Sequence, residues 1–147
     1  MASKKLVDKL NQNIADLHVL YVKLHNYHWN IKGSQFFQLH NTTEEYYEYI
    51  AELYDTVAER VLQLGSKPLA TVKDYVQKAK ITEETKTNFS SDDVITGIIK
   101  DFGYLLNHSK EILKLAEEQE DTGTADMVTG TISWLEKALW MLNSSKK

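Results

Sequence analysis

"SKPLATVKDYVQKAKITEETKTNFS" occupies residues 66 to 90, and the fold turns on what this stretch is. It is polar and carries one short amphipathic piece from about Val72 to Ala79. It runs into "SSDD" (residues 90–93), a helix start with serine caps and early acids. Long segments with apolar residues three or four apart flank it on both sides. It therefore reads as a connection inside one domain and not as a linker between two.

Upstream, a first helix carries Leu6, Leu10, Ile14, Leu17, Tyr21, Leu24 and His28 on one stripe and is expected to stop near "NIKG" (residues 30–33), with Gly33 as the break. A second runs from Ser34 or Gln35 to Leu64 with a stripe through Tyr47, Ile50, Tyr54, Val57, Val61 and Leu64. "GSKP" (residues 65–68) closes it. Downstream, a third helix is expected over Asp92 to Glu120 and a fourth over Thr124 to Asn143, separated by "EDTG" (residues 120–123).

Only one proline and six glycines interrupt 147 residues, and no segment reads as strand, so the chain is all-α. Short loops make helices one and two, and three and four, antiparallel pairs. The long connection is needed if helix three is to run parallel to helix two. The result is a four-helix bundle with a long crossover containing a short helix, an arrangement that resembles ferritin-like folds.

The length suits a single domain over 1–147 with short tails at both ends. Its 17 Lys and Arg against 21 Asp and Glu give a formal charge of −4, so bulk electrostatics do not attract nucleic acid. There is no cysteine, which removes thiolate chemistry and leaves oxygen and imidazole as the strong metal ligands. "MASKKLVDKL" lacks a secretory apolar core, and no apolar run of about 18 residues exists to span a membrane. A cytoplasmic protein without membrane partners is expected.

The chemistry gathers on helix two. Each helical residue turns about 100° and rises about 1.5 Å. With His40 at zero, Glu44 falls at roughly 40°, Asp55 at roughly 60° and Glu59 at roughly 100°, all on one side. His40 with Glu44, and Asp55 with Glu59, are i, i+4 pairs, each half of a metal site. Yet His40 and Asp55 stand roughly 22 Å apart along the axis, while metal to ligand bonds are about 2 Å.

Two copies packed antiparallel about a twofold would set one chain's first pair against the other's second pair. Ala51 and Ala58, on the same side, leave room for that approach. His28, folded back by the short turn, joins His40. Two imidazoles from one subunit, Asp55 and Glu59 from its partner and Glu44 nearby make a site for iron, manganese or zinc. Taken alone, Asp55 and Glu59 are ordinary surface acids, and His18, His25 and His108 are ordinary hydrogen-bonded core histidines. A site inside one subunit would use Glu-x-x-His, which the chain lacks; His108 and Glu111 run in the reverse order.

"HWNIKGSQFFQLH", "YDTVAERVLQLGSKPLAT", "DTGTAD" and "WLEKALWML" together resemble the Dps proteins, small ferritins named for DNA protection in starved cells. The resemblance covers almost the whole chain. It implies a homo-oligomer, a hollow dodecamer built from twofold dimers, with two iron positions per intersubunit site. There Fe(II) is oxidised, preferably by hydrogen peroxide and otherwise by O2, and Fe(III) mineral is stored inside against oxidative damage. It assigns His28, His40, Asp55 and Glu59 as iron ligands. Position 44 is usually aspartate in the family and is glutamate here.

Trp29, beside a ligand, is cast as an interceptor of stray oxidising equivalents, and the tyrosines at 46, 47, 49 and 54 invite the same role, with core and interface packing the plainer one. Asp121 and Asp126 match the segment lining threefold pores. DNA binding, through Lys4, Lys5, Lys146 and Lys147, is the alternative; the acidic body opposes it, and it would be strongly salt-dependent. In a third reading the acids and histidines only make interface salt bridges.

Overall fold

A 27-residue helix, α1 (Lys4–Asn30), opens the chain, capped where the Ser3 hydroxyl accepts the Leu6 N–H at 3.2 Å. In this computed structural model, which describes residues 2–146, four more helices follow: α2 (Phe36–Gln63), α3 (Val72–Lys78), α4 (Ser91–Glu118) and α5 (Thr122–Ser144). Among the described residues there is no strand, only an isolated parallel bridge between Ile31 and Phe89. No helix is long and apolar enough to cross a membrane. α1 packs chiefly on α2 and α4 on α5, so the two expected hairpins form, with α3 inside the crossover.

Boundaries differ where caps overrule the apolar pattern. α1 ends at Asn30, before the glycine, because Ile31 turns extended to pair with Phe89. Gly33, at φ +124°, then makes the turn into α2. α5 starts at Thr122, ahead of the expected Thr124, because Asp121 accepts the Thr124 N–H at 3.1 Å and acts as N-cap. α4 begins in a full capping box, Ser90 with Asp93.

The core stripes behave as their spacing requires. Leu6, Leu10, Ile14, Leu17 and Leu24 of α1 meet Ile50, Val57 and Val61 of α2 and Val94, Ile98 and Phe102 of α4, all buried. Tyr47 and Tyr54 are only half-buried. The empty side-chain space of Gly97 on α4 is filled by the Tyr27 hydroxyl of α1.

The crossover is held by polar residues of α1 in chain order. Asn11 accepts the Leu69 N–H at 2.9 Å, and Gln12 donates to the Lys78 carbonyl at 2.8 Å. The Asp16 carboxylate accepts the N–H groups of Lys80 and Ile81 at 2.7 and 3.0 Å. Lys23 donates to the Thr82 carbonyl, Asn26 to those of Glu84 and Lys86, and the Lys32 N–H to that of Phe89. The segment thus climbs alongside α1 in the same direction, returning the chain to the end from which α4 can descend parallel to α2.

Asp16 is the central clasp. It is fully buried, and its second oxygen accepts from the Tyr104 hydroxyl at 2.7 Å and from Gln12 at 3.2 Å, which joins crossover, α1 and α4. Beside it, Lys23 pairs with buried Asp101 of α4 at 2.8 Å. Burial raises the Asp101 pKa, and the ammonium opposes that rise. Truncating Asp16 strands several buried donors, so Asp16→Ala should lower the unfolding free energy by about 3 kcal/mol. Urea titration at fixed protein concentration measures this; an unchanged midpoint would mean that the crossover is held elsewhere.

Candidate metal centre

The tight turn between α1 and α2 lays the last turn of one helix against the first turn of the other. His28 and His40 meet there, their rings stacked with centroids 3.6 Å apart and 16° between planes. Each is fixed by the other's backbone. The Nδ1 of His28 lies 2.7 Å from the His40 carbonyl, and the Nδ1 of His40 lies 2.8 Å from the His28 carbonyl. A carbonyl oxygen only accepts, so both Nδ1 atoms carry hydrogen.

In the neutral ring the lone pair then sits on Nε2, the tautomer a metal ligand requires. Buried Thr43 adds its hydroxyl oxygen at 3.1 Å from His28 Nδ1 while donating to the Leu39 carbonyl. His28 is 5% exposed, and burial pushes its pKa down, with the hydrogen bond to His40 acting against the shift. Burial thus favours the neutral ring, the form that can give its lone pair.

Around the pair stands a wall of rings. Phe36 stacks on His40 with centroids 5.0 Å apart. Tyr47 stacks on His25 at 3.8 Å and stands perpendicular to His28 at 5.2 Å. His25, with Nδ1 2.8 Å from the Tyr21 carbonyl, also touches Trp29, their centroids 5.3 Å apart. Trp29 is 67% exposed on this chain.

The acids divide. Glu44, one turn after His40, is exposed, and its charge reaches His28. Asp55 and Glu59 are exposed further along α2, and neither forms an ion pair among the described residues. α2 is one uninterrupted helix, so the roughly 22 Å between His40 and Asp55 stands. No three His, Asp or Glu side chains among the described residues lie close enough to hold one metal ion. One chain thus brings His28 and His40 together, with Glu44 near them, and holds Asp55 and Glu59 apart.

At the other end of α2, Arg60 donates to Asp121 at 2.8 Å and to the Thr124 hydroxyl at 2.9 Å. Burial alone would raise Asp121; hydrogen bonds from Thr124 and Arg60 outweigh it and hold the carboxylate below its ordinary range. Asp121 is thereby committed to its own subunit, whereas Asp126 is exposed and forms no ion pair among the described residues.

The expectation of a lysine-bearing N-terminal tail needs correction. Lys4 and Lys5 stand in the first turn of α1, and Lys4 pairs with Asp8 at 3.0 Å. Lys146 is exposed, and Lys147 lies outside the described residues. His108 and His25 are hydrogen-bonded as expected, His108 to the Lys9 carbonyl at 2.9 Å. His18 instead packs against Tyr75 and Tyr54.

Thr43 is not singled out by the sequence, and His25 and Tyr47 read from it only as a core histidine and as one of several packing or radical-trapping tyrosines, not as supports of the histidine pair. Their signal was helical offset: Thr43 and Tyr47 lie three and seven residues after His40, and His25 three before His28.

The model of the ferritin-like domain matches residues 7–145. The chain is 41% identical to the DNA protection during starvation protein of Helicobacter pylori over 130 residues, covering 88% of this chain and 90% of that one. The crystal structure of a Dps protein from Bacillus brevis superposes with a TM-score of 0.93 at 38% identity, over 98% of both chains. That of a Dps protein from Vibrio cholerae, described as a member of the ferritin-like diiron-carboxylate proteins, gives 0.92 at 36% identity over 96% and 88%. Joined to the helical topology and the paired histidines, these likenesses assign the chain to the Dps family of ferritin-like proteins.

Proposed function

We propose that this protein is a ferroxidase that oxidises Fe(II) at sites shared between two subunits and stores the Fe(III) product in a hollow homo-oligomeric shell. Iron storage and protection against stress accompany membership of the family. The finer reading rests on one observation: α2 carries His40 and Asp55 on a single unbroken helix too far apart to serve one ion, so a second copy must complete the set. Each site then takes His28, His40 and Glu44 from one subunit and Asp55 and Glu59 from its partner.

The donor set suits Fe(II) as substrate. Neutral Nε2 atoms bind the ferrous ion without adding charge, and anionic oxygens favour the harder ferric product. With two iron positions per site, two Fe(II) each give one electron to hydrogen peroxide, which takes two protons and leaves as two waters. Passing both electrons at once avoids hydroxyl radical. Hydrogen peroxide as the preferred oxidant, with O2 as the slower one, and a dodecameric shell follow from the family likeness.

Sharing makes a sharp expectation for mixed assemblies. His28→Ala and Asp55→Ala chains should each form shells inactive in Fe(II) oxidation. Co-assembled at random in equal amounts, they should regain about a quarter of the wild-type sites, because each mixed pair rebuilds one of its two. Absence of recovery in shells shown to be mixed would place every ligand within one chain.

Iron entry falls to the exposed acid of the α4–α5 corner. Asp126→Asn should slow Fe(II) uptake into intact shells while oxidation at the intersubunit sites survives, measured by stopped-flow absorbance. Equal rates would remove Asp126 from the route. Trp29, reached from Tyr47 through the His25 ring, is the proposed trap for one-electron leakage. After peroxide is added with Fe(II) below one ion per site, peptide mass spectrometry should find Trp29 the most oxidised tryptophan; preferential oxidation of Trp134 or Trp140 would reject that role.

A further inference from the structure

Glu44 stands on the exposed side of α2 with three rotatable bonds, and a carboxylate that free is a poor ligand until something orders it. The side chain placed to do so is Tyr47, one turn further along the same helix, whose hydroxyl donates to Glu44 Oε1 at 3.5 Å. Oε2 has no partner among the described residues. The contact is long for an O–H···O bond, as bonds at reactive sites often are before the ligand arrives and tightens them.

Tyr47 itself has little freedom. Its ring is stacked 3.8 Å from His25, meets His28 edge-on at 5.2 Å and meets Tyr21 edge-on at 6.0 Å. His25 is pinned in turn by its hydrogen bond to the Tyr21 carbonyl. A phenol carries its proton at neutral pH and a carboxylate oxygen only accepts, so the hydroxyl is the donor in this contact. A rigid post thus carries a donor aimed at one oxygen of a flexible acid.

We propose that Tyr47 is a positioning residue for Glu44: it holds one carboxylate oxygen and leaves the other for the ion bound beside His28 and His40. The inference rests on the shared-site reading above and names the residue that orders its most mobile ligand. Tyr47 acts on the metal only through Glu44.

The test uses Co(II) alone, titrated without oxidant into assembled shells and followed by calorimetry and visible absorption. Tyr47→Phe keeps the stacked ring and removes only the hydroxyl, and circular dichroism with sizing verifies assembly. The weaker class of Co(II) sites should lose about tenfold in affinity while the stronger class is unchanged. Glu44→Gln should weaken the same class, and adding Tyr47→Phe to Glu44→Gln should cost nothing more; additive losses would mean that the hydroxyl acts independently of Glu44 and would overturn the positioning role. If Glu44→Gln weakens Co(II) binding and Tyr47→Phe does not, the positioning role is overturned and the site stands. If Glu44→Gln and His28→Ala both bind Co(II) as wild type does, the site reading fails and the positioning role fails with it.

Discussion

A chain that leaves α2 at one end of the bundle and must re-enter at the other has to travel its length with only the short α3 to supply helical hydrogen bonds, and every buried peptide group on the rest of that path needs a partner. α1 meets this constraint. One face carries leucine and isoleucine into the core, and another presents Asn11, Gln12, Asp16, Lys23 and Asn26 to the returning backbone. Without that polar seam the crossover would have no fixed course, α4 could not descend beside α2, and α1 would lack the support that holds its final turn against the start of α2. The histidine pair is therefore a distant product of the amides and carboxylate near the helix's beginning.

The unbroken length of α2 is the second constraint. An unbroken helix cannot fold its own two proposed ligand pairs together, so on that reading the working unit is larger than the chain. The surface agrees with that scale: Val22, Trp29, Leu62, Val72 and Val76 are large apolar side chains left exposed on one subunit. Burying them on a second copy would supply the driving force for the association that the ligand geometry demands.

Much of this was legible in the sequence because helical periodicity is a local property. The stripes through Leu6 to Leu24 and Ile50 to Val61, the crossover helix, and the meeting of His28 with His40 all follow from spacing and a short turn. Asp16 was not legible. A lone acid beside an apolar stripe gives no sign that its partners are backbone groups about 64 residues away and a tyrosine on another helix. The start of α5 was misplaced because Gly123 reads as a loop, whereas its missing side chain makes room for the Arg60 guanidinium. Thr43, and the positioning role proposed for Tyr47, were not legible because orienting another side chain is a relation that residue type alone does not signal.

Arg60 follows Glu59 directly, and its guanidinium is bolted to Asp121 and Thr124 where α4 gives way to α5. The peptide that carries Glu59, proposed above as an iron ligand for the neighbouring subunit, is thereby part of the same bracket as the α4–α5 corner that precedes Asp126. On the proposed reading, doorway and workbench share a single beam, so displacing that beam would disturb both at once.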